Sequence, residues 1–122
     1  MALESSILKS AKKKLGLLDA YDEFDQDVID YINSAFFRLY QLGLGPSEGF
    51  AIDDDSEEWD EFDTVGLNVA ALNAVKTYIT LKVKLAFDPP GTPHHVKAIE
   101  DQLSELEHTL RTERDLAKWS QS

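Results

Sequence analysis

The part of the chain that most constrains its fold is residues 67–87, which are apolar on nearly every side when wound as a helix. Two apolar stripes repeat there at steps of three and four residues: Leu67, Ala71, Ala74, Tyr78, Leu81 and Leu85, and Leu72, Val75, Ile79, Val83 and Ala86. Only Asn73, Lys76, Thr80 and Lys84 form a narrow polar strip. The β-branched residues are compatible with a strand, but the length and the alanines favour a helix. Such a helix is expected at the centre of a domain, packed on more than one side.

Three further segments have the apolar periodicity of amphipathic helices, and we place these helices at about residues 4–16, 24–42 and 94–113. In the first, the lysines are expected to face solvent. Gly16 and Gly43 suit the ends of the first two helices, and prolines 89, 90 and 93 separate the last two. No segment has a convincing strand pattern. The sequence therefore predicts an all-α, four-helix bundle-like domain over residues 1–122, with a polar tail at residues 112–122.

Composition and charge restrict the function. The 122 residues suffice for one domain with its own core. The formal net charge of −11 argues against a general nucleic-acid binder and against contact with an anionic membrane. The absence of cysteine excludes disulfides and thiolate zinc sites. No apolar run approaches the ~20 residues that span a bilayer, and the N-terminal residues lack the pattern of a secretory signal, so we expect a soluble protein.

The acidic residues are concentrated in one region, since residues 19–63 hold fifteen acids and a single base, Arg38. Residues 43–66 form a predicted long loop between the second and third helices, and residues 53–63 within it contain eight acids. Loops this long are usually functional or disordered. The three-residue spacing of Trp59 and Phe62 predicts a short helical turn, and these aromatic side chains are candidates for holding the loop to the core. As residues that face a partner or a channel we single out Asp53, Asp54, Asp55 and Trp59.

The sequence patterns that would indicate a metal site or a cofactor site are incomplete. Glu105 and His108 have the Glu-x-x-His spacing of di-iron bundles, but a second such pair is missing, and both side chains are expected to face solvent. The acids at residues 53, 55 and 57 match the first three ligand positions of an EF-hand calcium loop. The glycine at its sixth position and the glutamate at its twelfth position are absent. The glycines at residues 43, 45 and 49 follow a predicted helix, where a dinucleotide fingerprint follows a strand. We therefore assign no catalytic, cofactor-binding or metal-ligating residue and expect no enzyme activity.

Three stretches together resemble a known family. Residues 28–36 lead into Gln-Leu-Gly-Leu-Gly-Pro at residues 41–46, and an acidic stretch then precedes Trp59. Residues 78–90, with Lys-Val-Lys-Leu-Ala-Phe-Asp-Pro-Pro at their end, are followed by Glu-Leu-Glu at residues 105–107. This order and spacing resemble the head–tail connector (adaptor, head-completion) proteins of long-tailed double-stranded DNA bacteriophages, over roughly residues 5–112.

The resemblance implies a structural protein that forms a ring, a dodecamer in the usual case, beneath the portal of the filled capsid. Its implied partners are the portal protein, a stopper or tail-completion protein, and further copies of itself, while packaged DNA passes through the channel without specific binding. The implied location is the head–tail junction of the virion, after synthesis in the cytoplasm of the host bacterium. No cofactor and no membrane contact are implied.

The residues themselves fit this interpretation but leave an alternative open. An acidic surface repels DNA phosphates, and the apolar fourth-helix seam offers area for subunit contacts. Leu116 and Trp119 stand in the otherwise polar tail and are candidate interface anchors, although Trp119 folding back on its own bundle is the competing interpretation. The main alternative is an acidic helical interaction module, such as a DNA mimic or inhibitor that binds a basic partner. A small bundle enzyme or metal carrier is a third class.

Overall fold

The computed structural model describes residues 6–18, 20–63 and 67–121, with side chains as far as residue 116. These residues form five helices: α1 (Ile7–Lys14), α2 (Asp25–Gln41), α3 (Trp59–Phe62), α4 (Val69–Phe87) and α5 (Pro93–Gln121). Across the described ranges there is no strand, only an isolated bridge between Ser6 and Glu58. The predicted all-α class is confirmed. The four long helices correspond to the four predicted ones, and α3 is the predicted turn at Trp59 and Phe62.

Helix α4 is central, as its apolar sequence predicts, because it packs against α1, α2 and α5. Its side chains Val75, Tyr78, Ile79 and Val83 are completely buried. On the opposite side of the core α2 contributes a stripe that comprises Val28, Ile29, Ile32, Ala35, Phe36 and Leu39. Leu103 and Leu110 of α5 complete this core. The seam of α5 thus packs on its own chain.

Two helix ends differ from the predicted ones by more than two residues. Helix α1 begins at Ile7, where the side chain of Ser6 accepts a hydrogen bond from the backbone N–H of Lys9, and the two residues before Ser6 lie outside the described part. Helix α5 continues to Gln121, eight residues beyond the predicted end at residue 113. Residues 114–121 contain neither glycine nor proline, so nothing in their sequence stops a helix.

The prediction that the lysines of the first helix face solvent is wrong for Lys12. Its side chain is 2% exposed, and Nζ lies 2.8 Å from Oδ1 of Asp25 in the first turn of α2. The long apolar stem of a lysine can be buried while its ammonium group meets a partner charge. Here that charge is on α2, so the ion pair ties the N-terminal helix to the second one.

The connection between α2 and α3 is attached to the core at several points. Asn33 of α2 donates from Nδ2 to the carbonyl of Ile52 at 3.0 Å and accepts from its N–H at 2.8 Å. The side chains of Leu44 and Ile52 are buried, and the backbone N–H of Ile7 donates to the carbonyl of Glu57 at 3.1 Å. The apolar residues of this segment therefore hold it against α1 and α2.

A pair of glycine substitutions tests how tightly this connection is packed. Gly45 has φ of +85°, and a Cβ there would lie 2.4 Å from the buried ring of Phe62. Gly16 has a similar φ of +78°, but no atom lies within 4 Å of its Cβ position. We expect Gly16→Ala to cost up to about 1 kcal/mol of unfolding free energy from backbone strain alone. Gly45→Ala should cost about 2 kcal/mol, because the ring must also move. Equal losses in urea titrations would contradict this packing.

Candidate interaction surfaces

A hydrogen-bonded group of three side chains joins α2, α4 and α5. Arg38 donates from Nη2 to Oε1 of Glu107 at 3.0 Å and from Nε to Oε2 at 3.4 Å. The hydroxyl of the fully buried Tyr78 donates to the same Oε2 at 2.7 Å. The carboxylate of Glu107 on α5 thus accepts hydrogen bonds from side chains of α2 and α4, the two helices at the centre of the core. These bonds fix the position of α5 on them.

The ionisation of this group follows from its contacts. Burial alone would raise the pKa of Glu107, but the hydrogen bonds from Arg38 and Tyr78 and the guanidinium charge outweigh burial, so its pKa is lowered. The pKa of Tyr78 is raised, first by burial and then by the hydrogen bond to the negative carboxylate. The group therefore consists of a charged Glu107, a charged Arg38 and a neutral Tyr78 at neutral pH.

Sequence reasoning missed this group, although signals for it exist. Arg38 is the single base within the acid-rich residues 19–63. Glu107 is the second acid of the Glu-Leu-Glu stretch, and Tyr78 opens the stretch at residues 78–90, so the structure brings together parts of the sequence that carry the family resemblance. Glu105, which attracted attention for its spacing to His108, is exposed.

Arg114 attaches the second half of α5 to the end of α2. Its Nη1 donates to the carbonyl of Leu42, and its Nη2 lies 2.7 Å from Oδ1 of Asp115. The guanidinium lies over Gly43, where a Cβ would come within 2.8 Å of it. Beyond this contact Leu116 is 56% exposed, as expected for an interface candidate. The side chain of Trp119 lies outside the described residues.

The acidic segment, residues 53–63, presents its first three carboxylates to solvent, because Asp53, Asp54 and Asp55 are all exposed. Asp54 accepts from the N–H and the hydroxyl of Ser56, and the hydroxyl bond is the largest of the causes that lower its pKa. The carboxylate of Asp55 is 3.9 Å from Nζ of Lys9. These three residues form a solvent-facing turn, which we call the acidic turn.

The acidic turn makes few side-chain contacts, so neutralising it should leave the fold intact. We expect the triple variant Asp53→Asn/Asp54→Asn/Asp55→Asn to keep its unfolding free energy within about 0.5 kcal/mol of the parent, since exposed charges contribute little and asparagine still accepts from Ser56. Chemical denaturation at low and at high salt measures this. A loss above about 2 kcal/mol would mean that these carboxylates are structural.

Trp59 lies in the core, although it was also a candidate for contact with a partner. Its side chain is 2% exposed, its indole N–H donates to the hydroxyl of Ser10 at 3.1 Å, and its ring packs near Phe36. Glu58 and Glu61 form a capping box around the short helix that begins with it. Its position favours the other role that the sequence suggested, that of holding the loop.

A groove of about 500 Å³ lies between α1 and α4, and we call it the lysine groove. Its lining residues are Ser10, Lys13, Lys14, Trp59, Asn73, Lys76, Thr77 and Thr80. Nζ of Lys76 lies 6.0 Å from the centre of the Trp59 ring, in the range of a cation–π contact. The groove thus collects three cationic side chains on a chain whose net charge is −11.

An aromatic patch lies on α2 next to the loop. Phe37 and Tyr40 are 59% and 44% exposed, and their rings stack with centroids 6.1 Å apart. A groove of about 420 Å³ runs beside them, and Phe50 contributes to its wall. Exposed aromatic side chains at this density suit protein contacts, because they bury much area at little entropic cost.

The described ranges contain no cluster of side chains suited to metal binding. No group of three or more histidine or acidic side chains there could hold a metal ion. Glu105 and His108 share a shallow, open groove on the outer side of α5, with Gln102 and Thr109. No described helix is both long and apolar enough to cross a membrane.

Comparison with known sequences identifies the class. The sequence profile of a family described as phage connector protein matches residues 7–117, which is most of the chain. The chain therefore belongs to the phage connector family, as its resemblance predicted. Membership implies a structural role in the virion and interaction with components of the phage head or tail, and the family is not typically enzymatic. No curated protein and no solved structure gives a significant match.

Proposed function

We propose that the protein forms a ring beneath the portal of the filled capsid, a dodecamer, which extends the DNA channel and joins the capsid to the tail. Its partners are the portal protein on one side and a stopper or tail-completion protein on the other. The membership of residues 7–117 in the phage connector family carries this proposal. Packaged DNA passes through without specific binding, and the site of action is the head–tail junction.

The surface of the subunit supports this role. Several large apolar side chains are strongly exposed at separate places, among them Phe37, Val69 and Leu116. A subunit that contacts two neighbours in a ring and a partner above and below needs several such places. The excess of acidic groups also repels the phosphates of DNA at close range, which favours sliding over binding.

The C-terminal half of α5 is our choice for the portal contact. Arg114 holds this helix on α2, so the exposed Leu116 is presented on a supported element, and Trp119 follows on the same helix. We expect Leu116→Ala/Trp119→Ala to weaken portal binding at least 30-fold, about 2 kcal/mol, with unfolding free energy within about 1 kcal/mol of the parent. Leu18→Ala, which removes a leucine that is 76% exposed on the α1–α2 connection, is the control and should bind normally. Unchanged binding by the double variant would refute this anchor.

Reconstitution with the portal protein encoded by the same phage tests the proposed function. Purified portal rings are incubated with the protein, and the mass of the complexes is measured by mass photometry. We expect the mass of each portal ring to increase in a single step that corresponds to several subunits. No stable complex with fewer added subunits should be present. A protein that stays separate from the portal but binds a basic protein in a strongly salt-dependent manner would instead be the acidic interaction module.

A further inference from the structure

The lysine groove carries positive charge that no acidic side chain among the described residues pairs with. Lys13, Lys14 and Lys76 form no ion pair with any described residue, whereas Lys9, Lys12, Lys84 and Lys97 each do. Lys13 and Lys14 are exposed, and Lys76 is half-buried against Trp59. Three like charges around one concavity repel each other, and an anionic occupant removes that repulsion.

The groove also offers neutral hydrogen-bond donors. The amide of Asn73 and the hydroxyl of Thr77 are exposed, and neither makes a side-chain hydrogen bond to another described residue. Ammonium, amide and hydroxyl donors together suit carboxylates, which accept several hydrogen bonds each. The chemistry of the groove therefore matches a short acidic segment of a polypeptide.

A DNA backbone fits the groove less well. Three acidic residues that flank Trp59 in the chain are exposed: Glu58, Asp60 and Glu61. A duplex carries one phosphate charge per ~1.7 Å of its axis and extends past any short groove, so these acids would repel it. A segment of only a few residues meets fewer of these acids than a duplex does.

The acidic turn of a second copy has the charge that the groove requires. It follows Ile52, which is bound to Asn33 of α2, and it reaches α1 through a hydrogen bond from the Ser6 hydroxyl to the carbonyl of Asp55. The lysine groove begins about one helical turn further along α1, at Ser10 and Lys13, and lies between α1 and α4. Two different, complementary surfaces can form head-to-tail contacts between copies, and these contacts close into a ring where the rotation from one copy to the next closes.

We infer that the lysine groove of one copy receives the acidic turn of the next copy, and that this contact joins neighbours in the ring. The inference rests on the proposed ring and names the residues that build it. Lys13 and Lys14 at the rim pair with Asp53 and Asp55 of the adjacent copy. Asp54 stays engaged with Ser56 and keeps the turn in shape.

Complementary charge reversals test the contact. The groove variant is Lys13→Glu/Lys14→Glu and the turn variant is Asp53→Lys/Asp55→Lys, with all four side chains exposed. Each variant alone places like charges against each other at every contact of a ring. In an equimolar mixture, each groove again faces a turn of opposite charge, so the two variants are expected to assemble in alternation. Assembly on portal rings is measured by mass photometry, and folding is checked by circular dichroism and thermal melting.

We expect each variant alone to assemble at least tenfold more weakly than the parent and the mixture to recover most of that loss, with parent assembly weakening as salt is added. Variants that assemble like the parent would overturn the contact and leave the ring standing. Variants that fail both alone and mixed would overturn it too, since the groove would then serve another partner. A parent chain that forms no multi-copy complex would overturn the proposed function itself. Glu100→Lys/Glu105→Lys on exposed positions of α5 is the control for net charge, and its failure would also count against the specific contact.

Discussion

Replacing Phe36 by alanine is expected to lower the free energy of unfolding by about 3–5 kcal/mol, which is a large part of the stability of a domain of this size. Phe36 is 1% exposed, and its ring centre lies 4.9 Å from that of Phe50 and 5.1 Å from that of Phe62. The aromatic cluster joins α2 to the loop and to α3, so no single element can collapse into the space that the ring leaves.

Phe37, the next residue, is the matched control because it is 59% exposed on the same helix. Phe37→Ala should change the unfolding free energy by no more than about 1 kcal/mol. Both values come from urea unfolding followed by circular dichroism. Similar losses for the two variants, or a small loss for Phe36→Ala, would contradict the placement of this face of α2 in the core.

Replacing Glu107 by alanine is expected to cost about 2–4 kcal/mol. The change removes the acceptor of the hydroxyl of Tyr78, which is fully buried, and it also removes the partner of Arg38. A buried donor without an acceptor costs about 1–3 kcal/mol, and a hydrogen bond to a charged group contributes a similar amount. Glu105→Ala, two residues earlier at an exposed position, should cost less than about 0.5 kcal/mol.

The pH dependence of stability gives a second readout for Glu107. Its pKa is lowered in the folded protein, so its charged form stabilises the fold above the unfolded-state pKa of about 4.3. That contribution is lost as the pH falls through the lower pKa of the folded state. The stability difference between the parent and Glu107→Gln should therefore shrink below about pH 4. A difference that stays constant from pH 7 to pH 3 would show that the charge of Glu107 is unimportant.

The sequence was sufficient to predict the long helices and the centrality of α4. Apolar periodicity reports directly which side of a helix is buried, and glycine and proline mark interruptions at residues 43–49 and 89–93. The end of α5 was predicted too early because polar residues are compatible both with a tail and with an exposed helix. Arg114, which supports that extension, acts on the carbonyl of Leu42, far away in the sequence.

The contacts of charged side chains were not predictable from local pattern. Lys12 looks like a solvent-facing lysine of an amphipathic helix, and only the approach of Asp25 on α2 buries it. Glu107 and Glu105 are equivalent in the Glu-Leu-Glu stretch, yet only Glu107 faces Arg38 and Tyr78. The lysine groove likewise combines residues of α1 with residues of α4 that are some sixty positions later. Such groups depend on the tertiary arrangement.

The most direct test of the account is a cryo-EM reconstruction of the head–tail junction of particles made by the phage that encodes this chain. We expect a closed ring of copies between the portal and the next tail component, with α1–α5 recognisable in each subunit. We also expect the acidic turn of each copy to meet the lysine groove of its neighbour. A junction in complete, tailed particles that contains no copy of this chain would contradict its role as the connector.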